Sequence, residues 1–244
     1  MISPMKTMLL ALFLITGLTA KTIAIQQTIY LTLDDGPLPE SKCIDSLVRV
    51  ERIAVNIFAV GANLSSKEGR INYTRYKSNP HIKIFNHSYS HANGHYRKYY
   101  RDTAAVLKDF QKNDSLLNPF SSIIRMPGRN MWRINGRSKN DITNGIEAAD
   151  HLAANGYTII GWDIAWLQDS ITKEPSIDAL GLMEVIEHRL KRRNTFTKDH
   201  LVLLLHDEMF CSAIMVNELK KLIEEMNRKK LRFAYLDSYP LINK

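Results

Sequence analysis

The chain has 244 residues, 45% of them apolar and 24% charged, and a formal net charge of +8. This places it among ordinary soluble globular proteins, long enough for one large domain or two small ones with a substantial core. The Lys and Arg are scattered, with short clusters only at 189–193 and 228–230 near predicted helix ends, so nucleic acid ranks low and an anionic polymer stays open.

In chain order, Lys6 and the apolar run 8–20 read as an export signal, or uncleaved as an N-terminal anchor, over residues 1–24. The run is too short to span a bilayer comfortably. The chemistry then lies outside the cytoplasm, in the periplasm, the extracellular space or the cell wall. Residues 25–244 contain no repeat, low-complexity tract or linker and are expected to form one domain. The two cysteines, Cys43 and Cys211, permit one disulfide in an exported protein; two unpaired buried thiols are the equal alternative.

The first predicted strand, 29–33, is apolar on both faces and runs into Asp34-Asp35-Gly36-Pro37, where Gly and Pro end it. Strand alternation predicts that Asp34 and Asp35 point to opposite sides of the backbone. Further strands are expected at 53–60, 82–85, 122–125, 157–162, 201–205 and 231–236. Helices are expected at 101–111 and 145–155, around Leu182, Ile186 and Leu190, and from Val216 to Met226. Six or seven β–α units argue a parallel sheet, open or closed into a barrel.

Several strand ends deliver polar groups, and the C-terminal edge of such a sheet is where α/β enzymes place their sites. His87 and His91 are four residues apart, one turn of helix, so both can reach one ion. Alone, such a pair is more often solvent-exposed than metal-bound. With Asp35 added, two histidines and a carboxylate leave one position open on zinc, the arrangement of a hydrolytic site. His206 ends the 201–205 strand as either a satisfied core residue or a catalytic acid/base. Arg125 ends another strand and either ion-pairs or holds a catalytic carboxylate. An acidic surface turn remains the bland reading of Asp34-Asp35 taken alone.

Five segments in order, Thr32-Leu-Asp34-Asp35-Gly36-Pro37, His87-Ser-Tyr-Ser-His91, Arg125-Met-Pro127, Gly161-Trp-Asp163-Ile-Ala-Trp166 and Leu204-Leu-His206, resemble the motifs of the polysaccharide deacetylases with the NodB homology domain, carbohydrate esterase family 4. The resemblance implies a distorted (β/α) barrel of about seven parallel strands, TIM-barrel-like. It implies one divalent metal ion on Asp35, His87 and His91, zinc first, with cobalt, manganese or nickel as alternatives. Asp34 becomes the base that activates water, Arg125 its orienting partner, and His206 the acid that protonates the departing amine. Gly128 offers an N–H to the oxyanion, and Leu204 and Trp166 shape a pocket for the acetyl methyl.

The implied reaction removes N-acetyl groups from an aminosugar polymer, peptidoglycan or chitin-like, by a monomer with no stable membrane insertion once the leader is gone. Two segments depart from the family pattern. Ala165 stands where the family usually has Asp before its Trp, leaving Asp163 or Asp169 as candidates to tune His206. The third motif continues Gly128-Arg129-Asn130-Met131-Trp132-Arg133, giving Arg129, Trp132 and Arg133 a substrate-side look, with a core tryptophan as the plainer reading of Trp132. Ala165 also motivates a carbohydrate-binding pseudoenzyme as the alternative function.

Overall fold

The computed structural model describes residues 26–119 and 121–242; the leader expected over 1–24 lies outside them. From β1 (Thr28–Asp34) the chain alternates through α1 (Ser41–Glu51), β2 (Val55–Ala59), α2 (Lys67–Ser78), β3 (Ile82–Asn86), a short α3 (Tyr96–Tyr99), α4 (Thr103–Leu117) and β4 (Ile123–Ile124). A hairpin of β5 (Trp132–Ile134) and β6 (Arg137–Lys139) precedes α5 (Ile146–Ala154), β7 (Thr158–Ile159) and β8 (Ile164–Ala165). Then come α6 (Ala179–Lys191), β9 (His200–His206), α7 (Ala213–Arg228) and β10 (Arg232–Phe233).

The described strands form one sheet in the order β6-β5-β7-β4-β3-β2-β1-β9-β8, with β10 pairing the start of β1. The run from β7 to β8 in that order is seven strands, all parallel, as the resemblance implied. It curls without closing, because β7 takes the antiparallel hairpin as its outer neighbour instead of β8. The result is a distorted, open (β/α) barrel.

Strand alternation divides the core into two layers. Ile29, Leu31 and Leu33 of β1 and Leu201, Leu203 and Leu205 of β9 face outward onto the apolar stripes of α1, α6 and α7. Each such leucine or isoleucine contributes about 1.5–3 kcal/mol on burial. The alternate residues turn inward: Tyr30, Phe58, Phe85 and Val202 pack with Trp132 and Tyr239 in a second cluster. Farther along the same two strands the inward positions become polar, Thr32 and Asp34 on β1 and His206 on β9, so the apolar filling stops short of the C-terminal mouth.

Besides the one-turn α3, two helices were not expected from periodicity. Ile44, Leu47 and Val48 give α1 a buried stripe at helical spacing. In contrast, α2 is almost wholly polar, with Tyr76 its one large buried side chain. It forms because Ser66 caps it, accepting from the Gly69 N–H at 2.9 Å, and because it packs beside α1. Cys43 and Cys211 are free thiols lining one groove between α1 and α7; Cys211 is exposed, so neither the disulfide nor the doubly buried alternative describes them. Among the described residues no helix is long and apolar enough to cross a membrane.

Candidate active site

Asp34 is the last residue of β1 and stands in register with His206, the last residue of β9. Its side chain is buried, and so is that of Arg125, which follows β4. A guanidinium in a core needs every donor met. Each of the three Arg125 nitrogens finds a partner, Nη1 in Asp34 Oδ1 at 2.7 Å and Thr32 Oγ1 at 2.8 Å, Nε in the Ile160 carbonyl at 3.1 Å, and Nη2 in the Gly161 carbonyl at 2.8 Å. Burial pulls its pKa down and the Asp34 charge opposes that pull.

Asp35 does not point away from Asp34 as alternation predicts. Its φ is 73°, in the left-handed region, so its carboxylate turns back toward the same centre. The Asn63 side-chain amide donates to the Asp35 carbonyl at 2.6 Å and holds the turn. Asp35 Oδ1 then lies 2.9 Å from His91 Nε2 and 3.4 Å from His87 Nε2, while Asp34 Oδ2 lies 3.6 Å from His87 Nε2. Burial raises the Asp35 pKa, but the neighbouring imidazoles of His87 and His91 outweigh it and hold the carboxyl below the usual range. For His87 burial lowers the pKa, and Asp34 and Asp35 outweigh it in the other direction.

The two histidines converge by a different route from the helical turn that their spacing suggests. Residues 87–90 are irregular, with positive φ at Ser88 (66°) and His91 (49°). Ser88 Oγ accepts from the His91 N–H at 3.0 Å. Asp109 of α4 ties the loop down, accepting from the Ser90 N–H at 3.2 Å, the Ser90 hydroxyl at 3.0 Å and the Tyr99 hydroxyl at 2.9 Å. His87 Nδ1 is 2.9 Å from the Arg125 carbonyl. A carbonyl only accepts, so Nδ1 carries a proton and Nε2 is the nitrogen turned toward Asp35.

These three donors suit a divalent cation. Their ligating atoms lie within 4.8 Å of one another. Asp35 Oδ1 is buried without a hydrogen-bond partner, an orphaned acceptor that a cation would satisfy. Two imidazoles and one carboxylate form a zinc-type donor set with room for a further ligand.

Other expected residues surround the trio. Leu204 faces the lumen below His206, in register with Thr32 and Ala165. Gly128 has φ 62°, and the Tyr96 ring is 3.2 Å from where its Cβ would sit, so only glycine suits the position. The Gly128 N–H has no hydrogen-bond partner among the described residues. Beside His206, the fully buried Asp207 accepts from the Leu38 N–H at 3.0 Å, the Ser41 hydroxyl and the Tyr76 hydroxyl, pinning the loop after Asp35.

Several expectations need correction. Trp166 is fully buried on the helix side of the sheet, its indole N–H donated to the Ile177 carbonyl at 2.8 Å, so it does not line an acetyl pocket. Trp132 is also fully buried, with Phe196 stacked 4.2 Å from its ring, so the core reading holds and no sugar can reach that face. Asp163 spends both oxygens on the Phe196 and Val202 N–H groups and makes no contact with His206. Asp169 is exposed and caps its own loop through the Ile171 and Thr172 N–H groups. Arg129 bonds Asn144 and packs over Tyr96 and Tyr100, and Arg133 pairs with Asp150.

Sequence reasoning passed over Asp109, whose only signal is that it faces the loop carrying His91. It also passed over Trp162, half-buried with its ring 5.9 Å from the Arg125 guanidinium.

A model of the polysaccharide deacetylase family, "Polysaccharide deacetylase", matches residues 22–145. The chain belongs to that family. The matched half carries Asp34, Asp35, His87, His91, Arg125 and Gly128 and ends before Ala165 and His206. No curated protein matches the sequence. In fold, this polysaccharide deacetylase is similar to a carbohydrate esterase family 4 enzyme of Streptococcus mutans, at 20% identity, 86% of each chain and a TM-score of 0.64. It is similar to the catalytic domain of a peptidoglycan N-acetylglucosamine deacetylase from Eubacterium rectale, at 19% identity, 90% of this chain, 93% of that one and a TM-score of 0.61. A family 4 carbohydrate esterase from Streptomyces lividans, in complex with acetate, gives 16% identity, 86% and 93% coverage and a TM-score of 0.55. As a NodB-domain polysaccharide deacetylase the protein is an N-deacetylase hydrolase. The family is generally metal-dependent, and the Asp35, His87 and His91 cluster is a fitting site for an ion.

Proposed function

We propose that this enzyme removes N-acetyl groups from aminosugar polymers of the peptidoglycan or chitin-like kind, outside the cytoplasm, with one divalent metal ion, zinc first. The observation that carries the reading is the orphaned Asp35 Oδ1 between two imidazole nitrogens, with the Asp34–Arg125 pair alongside. Asp35, His87 and His91 would hold the ion, which supplies Lewis acidity toward an amide carbonyl and acidifies water. Asp34 takes the proton of the attacking water, and Arg125 fixes the carboxylate by which it does so. The Gly128 N–H serves the developing oxyanion. His206, on the strand adjacent to Asp34, gives a proton to the departing nitrogen, and Leu204 forms the floor under the acetyl methyl.

An amide demands both an activated nucleophile and a protonated leaving group, and two titratable side chains at adjacent strand ends divide that labour. The neighbours' peptidoglycan and esterase names support the glycan class. Acetate release from N-acetylglucosamine oligomers tests the reading. Release is expected with zinc or cobalt present and is lost to a chelator. A protein that releases none with either metal added is a binding protein that retains the groove without turnover.

A further inference from the structure

The loop that delivers His91 is unusually basic. From His87 to Arg101 there is no acidic residue, while Arg97, Lys98 and Arg101 are all exposed. Arg97 and Arg101 border a basin of about 540 Å³, whose other side is formed by residues 143–147. Neither guanidinium has a carboxylate or hydrogen-bond partner among the described residues. Glu147, across the basin, is its one acidic lining residue.

The basin adjoins the mouth. Tyr100, one of its walls, donates to the Pro127 carbonyl at 2.7 Å, next to Gly128. The Asn144 amide donates to the Arg97 carbonyl at 3.1 Å and ties the two sides together. Tyr96, beside Arg97, sets its ring edge against His91 at 5.7 Å and lies against Gly128. Tyr96, adjacent in sequence to Arg97, and Tyr100, a wall of the basin, thus both reach the edge of the metal-type cluster's surroundings.

We propose that this basin binds carboxylates carried on the glycan, so that the substrate is an acidic aminosugar polymer instead of a neutral one. The inference rests on the deacetylase reading of the neighbouring site. A guanidinium pairs with a carboxylate through two parallel hydrogen bonds, whereas a neutral chain offers it nothing better than water. The pairing is solvent-exposed and therefore salt-dependent.

The test is equilibrium binding of two oligomers of equal length, neutral N-acetylglucosamine and a peptidoglycan fragment bearing carboxylates, at low and high salt. At low salt the Arg97→Ala, Arg101→Ala double variant binds the acidic oligomer about tenfold more weakly than the parent, as two exposed ion pairs allow. The difference shrinks at high salt, and the neutral oligomer binds both proteins alike. Glu147→Gln tightens the acidic oligomer alone. Equal binding of the acidic oligomer by parent and double variant overturns the proposal, as does an equal loss for both oligomers. Acetate release by the parent, measured on the same oligomers, keeps the two readings apart: charge-dependent binding without acetate defeats the deacetylase reading and leaves the basin standing.

Discussion

Asp34 and His206 end adjacent parallel strands at the same level of the ladder, and Arg125 reaches the first of them with a 2.7 Å ion pair. Their Cα atoms are neighbours by register, so the separation of the proposed base and acid is set by the spacing of two backbones. The proposed reaction, which needs one group to take a proton and another to give one, is thereby mounted on paired strands instead of on loops.

Asp34→Asn removes the proposed base and keeps the metal donors. Turnover is expected to fall by about 10²–10⁴ while bound zinc, measured by elemental analysis, stays at the parent level. Because the variant leaves the Arg125 guanidinium buried without its counter-charge, its unfolding free energy should drop by about 3 kcal/mol. An Asn variant working at near the parent rate would show that another group is the base.

His87→Ala is expected to abolish stoichiometric zinc binding. The His87 ring is held from behind by the Arg125 carbonyl, and no other imidazole among the described residues shares the cluster with Asp35 and His91. Dialysis against a metal-buffered solution followed by metal analysis decides it; a variant retaining one zinc would move the site elsewhere.

Asp109→Asn tests a contact one layer out. The carboxylate gathers the Ser90 N–H, the Ser90 hydroxyl and the Tyr99 hydroxyl, and so shapes the irregular turn that ends at His91. Loss of such support typically costs a metal site about 10–100-fold in affinity. Competition with a chromophoric chelator reads it, and an unchanged zinc affinity removes Asp109 from the set of positioning residues.

Asp207 gives a pH signature. Burial pushes its carboxyl up to about 6, although Ser41, Tyr76 and the Leu38 N–H all favour the charged form. In the unfolded chain it titrates near ~4. Between those values the folded protein binds more protons than the unfolded one, so the contribution of this group to stability grows as pH falls through 6 and levels off near ~4. Urea unfolding of the parent and of Asp207→Asn should therefore diverge on acidification from pH 7 to 4, the parent gaining about 3 kcal/mol relative to the variant. A constant difference across that range would mean that Asp207 titrates normally.

Much of the barrel could be read from letters because its long strands are apolar on both faces. β1 and β9 declare themselves that way, and Ile186 and Leu219 mark helices by period. The polar α2 could not be read so, since a Ser66 cap and packing against α1 hold it, and neither leaves a periodic trace. In the site, the ordered segments located Asp35, His87 and His91, but not how they meet. Alternation sent Asp35 the wrong way, and the i, i+4 spacing suggested a helix where Ser88 and His91 adopt left-handed backbone. Tryptophans misled for a related reason: a motif position does not reveal which face of the sheet a ring takes, and Trp166 is buried on the helix side and Trp132 in the inward cluster. Asp163 was a plausible partner for His206 until its two oxygens were found on backbone amides.

The barrel's seam lies between β7 and β8, and the Arg125 guanidinium ties the β7 side of it to the middle of the sheet, gripping the Ile160 and Gly161 carbonyls just past β7 with one edge and Thr32 and Asp34 of β1 with the other. One side chain thus serves as crossbeam and as tool-holder. Loosening the grip on Asp34 slackens the wall opposite it, so loss of the proposed chemistry and loss of architecture arrive together at this position. A chain that shed its chemistry while keeping its shape would have to do so somewhere other than Arg125.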